Sequence, residues 1–138
     1  MPSFIHEKLN RARAQLESAR RNLGEGDTET ACNRAFLAAE NAASAAIAED
    51  GGRVPPVHSQ IRSQFEELCD RGTIPYRFRD ILIRLYRFRL RGDYGRRFHI
   101  GQRTPELKPE TVRNMLEEVS DLVASVEEIT KKHKSHWT

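Results

Sequence analysis

The chain has 138 residues, of which 31% are charged and 38% hydrophobic, and a net charge of +3. That length can bury one real core without staples, and the composition excludes a disordered chain, so one domain over residues 1–138 is expected. No apolar run approaches the about 20 residues of a membrane span, and the charged N-terminus MPSFIHEKLNRARAQ is unlike a signal peptide, so a cytoplasmic protein with no membrane partner is expected.

The first segment places Ile5, Leu9, Ala12, Leu16, Ala19 and Leu23 at alternating steps of four and three, one narrow stripe on a helix that Gly24 and Gly26 stop. Asp27 or Thr28 can cap a second helix, because a short oxygen side chain accepts from the unpaired first-turn amides. This helix runs through Ile47 to Gly51–Gly52 and carries Ala31, Ala35, Ala38, Ala39, Ala42, Ala43, Ala45 and Ala46. Side chains of one methyl let neighbouring helices approach closely, so it is expected to be the central helix of a bundle. Two glycines and two prolines make GGRVPPV, residues 51–57, a loop.

A third helix begins near His58 or Ser59, carries Ile61, Phe65 and Leu68, and ends at Gly72. His58 falls on that apolar stripe, and a capping or packing role is expected for it. Pro75 suits the first turn of a fourth helix, which runs to about Gly92. Residues 94–108 form an exposed connection. A last helix starts around Pro109 or Glu110, aligns Val112, Met115, Val119, Leu122, Val126 and Ile129, and gives way to a basic tail, KKHKSHWT, over about 131–138. The adjacent pairs Glu117–Glu118 and Glu127–Glu128 read as a solvated face. No segment alternates as a strand does. The expected fold is therefore all-α, an up-and-down bundle of four long helices and a shorter one.

Cys32 and Cys69 lie in helical segments without a metal-ligand spacing, and are expected as buried free thiols in a reducing compartment. There is no phosphate loop with its Lys-Ser/Thr pair, no HExxH and no GxSxG, so neither a metal nor a cofactor is expected.

The positive charge is concentrated. Residues 77–97 hold eight arginines against Asp80 and Asp93, a local excess of six charges, which leaves the rest of the chain slightly acidic. Placed charge of this kind suits phosphate or an acidic partner. At about 100° per residue, Leu82, Leu85, Ile81 and Phe88 define the buried stripe of the fourth helix, and Arg89 falls inside it, while Arg84, Arg87 and Arg91 fall on the far side. A guanidinium on an apolar stripe is costly unless paired, and Asp93 lies four residues on. Two readings of Arg89 stay open: a partly buried salt bridge with Asp93 that closes the end of the bundle, or a planar fork for phosphate that Asp93 and Tyr94 position. Ile83, Tyr86 and Leu90 form a second apolar stripe, which suits either a two-fold homodimer or a simply central helix.

The segments RAFLAAENAASAAI, VHSQIRSQF and LYRFRLRGDYG, in this order, resemble the HEPN superfamily, within it the branch of small stand-alone proteins ending in Arg-x-x-x-Asp-Tyr. The resemblance covers most of the chain. It implies a helical bundle that dimerises through the arginine-bearing helices, and association with RNA or a nucleotide. Many members are metal-independent ribonucleases with an arginine followed after four to six residues by a histidine. They occur in prokaryotic toxin–antitoxin pairs with a minimal nucleotidyltransferase or in antiviral defence. Arg89 matches the arginine, but the positions for the histidine hold Tyr94, Gly95 and Arg96, and the nearest histidine is His99. Under the enzymatic reading, Arg89 stabilises charge on phosphate and His99 or Tyr94 moves the proton, beside Asp93. Arg84, Arg87, Arg91, Arg96 and Arg97 would bind the nucleic-acid backbone. The rival reading is a non-catalytic interaction subunit of a defence or nucleoprotein complex, whose arginine face docks on nucleic acid or an acidic protein.

Overall fold

The computed structural model describes residues 3–94 and 107–136, with side chains described for 3–89 and 107–133. Among the described residues five α-helices follow one another: α1 (Phe4–Gly24), α2 (Thr28–Glu49), α3 (His58–Asp70), α4 (Ile81–Tyr94) and α5 (Pro109–His136). There is no strand among the described residues, and none of the described helices is long and apolar enough to cross a membrane.

The helix ends follow local chemistry. The Ser3 and Asp27 side chains accept from the amides of His6 and Thr30 and so start α1 and α2. The hydrogen bonds from Thr30 hold the Asp27 carboxyl below the usual carboxylate range. Gly72 takes φ +78 just after α3, a left-handed conformation that glycine adopts without a Cβ clash.

Helix α2 touches α1, α3, α4 and α5. Its alanines at 31, 35, 38, 39, 42, 43, 45 and 46 are buried, together with Cys32, Phe36, Ser44 and Ile47. The stripe of α1 is buried at Leu9, Ala12, Leu16 and Ala19, and that of α5 at Val112, Met115, Val119, Leu122 and Val126. Both cysteines are buried and free, and burial pushes each thiol up to about 11, which keeps it protonated and unreactive near neutrality.

The fourth helix departs from the expected course at its start. Pro75 leads into a short 3-10 turn, Tyr76–Phe78, and α4 begins only at Ile81. Arg79 holds this corner to the end of α3, its Nε 2.7 Å and its Nη2 3.3 Å from the two carboxylate oxygens of Asp70. The C-terminal tail also differs, since residues 131–136 continue α5 and His133 meets Glu49 of α2 through Nδ1 at 2.6 Å. Two of the expected solvating glutamates make ion pairs between helices: Glu118 with Arg84 at 2.8 Å and Glu127 with Arg13 at 2.9 Å. The connection expected at 94–108 lies outside the described residues over 95–106.

Two stability predictions result. Ala42 is fully buried on the central helix, so Ala42→Leu overpacks the seam and should lower unfolding stability by about 1–3 kcal/mol in a urea titration. The Arg79 guanidinium donates to Asp70 and lowers its carboxyl below the usual range. The stabilisation from that pair is therefore present above about pH 4 and lost as pH falls through the lowered value. Asp70→Asn should unfold at lower urea than the native chain at pH 7, and the two midpoints should converge under acid.

Candidate functional site

A cleft of about 370 Å³ opens between α2, α3 and α4. Its walls are Phe36 and Glu40 from α2, Val57, His58, Ser59 and Arg62 from the start of α3, and Leu82 and Tyr86 from α4. Phe36 and Glu40 share a face because they are four residues apart on a helix. Phe36 is the one aromatic residue in the alanine seam of α2, and three groups gather on its ring. The His58 and Tyr86 ring centroids lie 5.9 and 6.0 Å from it in tilted arrangements, and the Arg89 guanidinium carbon lies 5.1 Å from its centroid. The last contact is a cation over an aromatic face, favoured by the ring quadrupole.

His58 and Glu40 form an ion-pair-type contact, Nδ1 to Oε2 at 2.5 Å. The side chain of Glu40 is 16% exposed while that of His58 is 55% exposed, so the carboxylate sits inside and the imidazole reaches solvent. A carboxylate only accepts, so this contact puts a proton on Nδ1 and leaves Nε2 facing away from Glu40 as the exchangeable nitrogen. Of the expected capping or packing role, the capping half is corrected, while the ring does pack against Phe36. Val57 is the N-cap residue and α3 has no side-chain cap, and His58 is exposed and held by a partner on another helix.

The structure separates the arginines. Arg84 directs one guanidinium nitrogen to both oxygens of Glu118, at 2.9 and 2.8 Å. Arg77 lies 3.7 Å from Asp121 with its guanidinium over the Phe78 ring, and Arg79 is held by Asp70. Arg87 is exposed, and Arg89 is half-buried on Phe36. The side chains of Arg91, Asp93 and Tyr94 lie outside the described residues, as do Arg96, Arg97 and His99, so the expected Arg89–Asp93 pair lies outside them too. Among the described residues no group of three or more His, Cys, Asp or Glu side chains could hold a metal ion.

Glu40, Phe36, Arg62 and the inward role of Tyr86 were not anticipated as site features. The signal for Glu40 was present as an acidic residue in an alanine-rich segment, one helical turn after the only aromatic of that segment.

An all-α bundle with an aromatic cleft edged by arginines, and a histidine–carboxylate pair inside it, is the class that fold and site define. The family model for the HEPN domain matches residues 5–135, and the chain belongs to that family. No curated protein matches the chain at a significant level.

The contact of Arg89 with Phe36 does not require Asp93. Arg89→Ala should remain folded and lose no more than about 2 kcal/mol in urea unfolding, the upper end for a partly desolvated cation on a ring. Loss of the folded state would instead make Arg89 a structural keystone.

Proposed function

We propose that this HEPN protein binds RNA or a nucleotide, with the phosphate at the Arg89 end of the cleft between α2, α3 and α4. The observation that carries this reading is the position of the Arg89 guanidinium. It is held on a ring rather than by a described carboxylate, beside a cleft that also contains Arg62 and His58. A guanidinium held on a ring retains donors for a phosphate, whereas one spent on a carboxylate does not. Arg87, exposed on the same helix, and the sequence charges of Arg91, Arg96 and Arg97 extend the positive field toward the end of α4. Arg84 contributes less, because Glu118 neutralises it.

The same reading includes a two-fold homodimer through α4. That pairing would rest on Ile83 and Leu90, since Tyr86 of the same stripe is already taken up by Phe36. A protein partner such as a minimal nucleotidyltransferase also belongs to it. The rival, a non-catalytic subunit of a defence or nucleoprotein complex, is favoured by the absence of a histidine four to six residues after Arg89.

Fluorescence anisotropy with labelled single-stranded RNA and with mononucleotides tests the binding. Arg89→Ala should weaken affinity about tenfold or more, as expected for losing a charge-assisted contact. Arg87→Ala should weaken it less and reduce the slope of log affinity against log salt by about 0.7, the loss of one phosphate contact on a single strand. Failure of the native chain to bind either ligand, or equal affinity of Arg89→Ala, would refute the reading. Light scattering on the same samples reports the dimer.

A further inference from the structure

We propose that the face formed by α1 and α5 is a self-association surface, on which a second copy of this chain packs antiparallel about a two-fold axis. None of its residues lines the cleft between α2, α3 and α4 or belongs to the apolar stripe of α4, so the proposal stands independently of the binding reading and of its α4 dimer.

The face is a furrow. Two open cavities of about 440 and 370 Å³ follow one another along the seam of the two helices and share Arg20. The helices run in opposite directions, since Arg13 meets Glu127 at 2.9 Å at one end, and Gly24 and Arg113 border one cavity at the other. Along α1 the furrow is edged by Arg13, Glu17, Arg20 and Gly24. Along α5 it is edged by Arg113, Glu117, Ser120, Ala124 and Glu127. Both series step by four and three residues in alternation, the spacing with which a helix presents one continuous seam to another.

The charges on these seams are complementary to themselves. On α1, an axis between Glu17 and Arg20 sets Glu17 against Arg20 of the second copy and Arg20 against its Glu17, with Arg13 opposite Gly24. On α5, an axis at Ser120 sets Arg113 against Glu127 of the second copy and Glu127 against its Arg113, with Glu117 opposite Ala124 and Ser120 opposite itself. The Arg13–Glu127 pair fixes the level of one helix on the other and puts the two axes within about 2 Å of one height, so a single rotation satisfies both seams.

The space and the charges are available. The long side chains of one copy meet small residues of the other, and at Gly24 even an added Cβ would touch nothing within 4 Å. Glu17, Arg20 and Arg113 are exposed, and among the described residues their side chains make no ion pair or hydrogen bond. Exposed pairs add little singly, but the axis repeats each of them, and complementary charge fixes the register. A contact of this composition is weak and sensitive to salt.

Sedimentation velocity on the full chain over a range of concentrations tests the proposal, with Ile83→Asp as a background that removes association through α4. Ile83 lies outside the hydrophobic core, so this variant should fold. A dimer that persists in Ile83→Asp and weakens as salt rises is expected. Glu17→Arg and Arg20→Glu should each weaken it about tenfold, because one reversal turns two attractive pairs repulsive. The double reversal, Glu17→Arg with Arg20→Glu, should restore it, since the exchanged charges again complement each other. A cysteine on the axis reads the register: Ser120→Cys should form a disulfide-linked dimer under a mild thiol oxidant. The native chain, whose two cysteines are buried, and Ser63→Cys on α3 should not. An Ile83→Asp chain that stays monomeric, single reversals without effect, a double reversal no better than the single ones, or Ser120→Cys that fails to cross-link overturns the proposal.

Discussion

One helix has to touch four others. Helix α2 packs on α1, α3, α4 and α5, and a helix in that position can carry bulk on no side without pushing a neighbour away. Eight buried alanines meet the constraint. Close-packed interiors make the requirement strict, because even one added methylene is felt. The separation of the outer helices, and with it the width of any cleft between them, therefore depends on which residues of α2 are not alanine.

Phe36 and Glu40 are two such exceptions on one face, and the cleft forms where they are. A ring at 36 holds α3 and α4 apart enough for His58, Tyr86 and Arg89 to settle around it. Glu40, one turn further along, is half-buried without being unpaired, because the loop through Val54, Pro55 and Pro56 returns the chain so that His58 opens α3 beside it. A buried carboxylate without a partner would be costly, so the acidic residue in the seam and the histidine at the helix start are parts of one arrangement.

Much of this was legible from residue order. Apolar spacing located the long helices, the alanine run identified the hub, and the helical angle separated Arg89 from Arg84 and Arg87. The angular argument survives the 3-10 turn at Tyr76–Phe78 because the residues that decide it, Ile81 to Arg89, all lie within the regular helix. Ile81, Leu82 and Leu85 are buried, Phe88 and Arg89 half-buried, and Arg84 and Arg87 exposed. What periodicity could not supply is contact between helices. It placed His58 on a stripe with Ile61, Phe65 and Leu68, yet the first residue of a helix sits at the rim, where its surroundings depend on the helix opposite. Glu40 and His58 are 18 residues apart across a turn, and only the packing of α3 on α2 brings them together. Tyr86 was read as part of a second apolar stripe covered either by a second subunit or within the bundle, since its angle on α4 says nothing of the Phe36 ring that meets it.

The arginine cluster illustrates how tertiary pairing redistributes a charge that composition reports as uniform. Arg77, Arg79 and Arg84, toward the N-terminal side of the run, each approach a carboxylate: Asp121, Asp70 and Glu118. Surface pairs of this kind add little stability, but each cancels a positive charge locally. Further along, among the described residues, Arg87 is exposed and Arg89 lies on a ring, which by itself leaves a guanidinium's charge intact. A ring holds a guanidinium in place without neutralising it, whereas a carboxylate does both. Among the described residues it is the Phe36 ring, not an acid, that meets Arg89, while Arg77, Arg79 and Arg84 earlier in the run each meet a carboxylate.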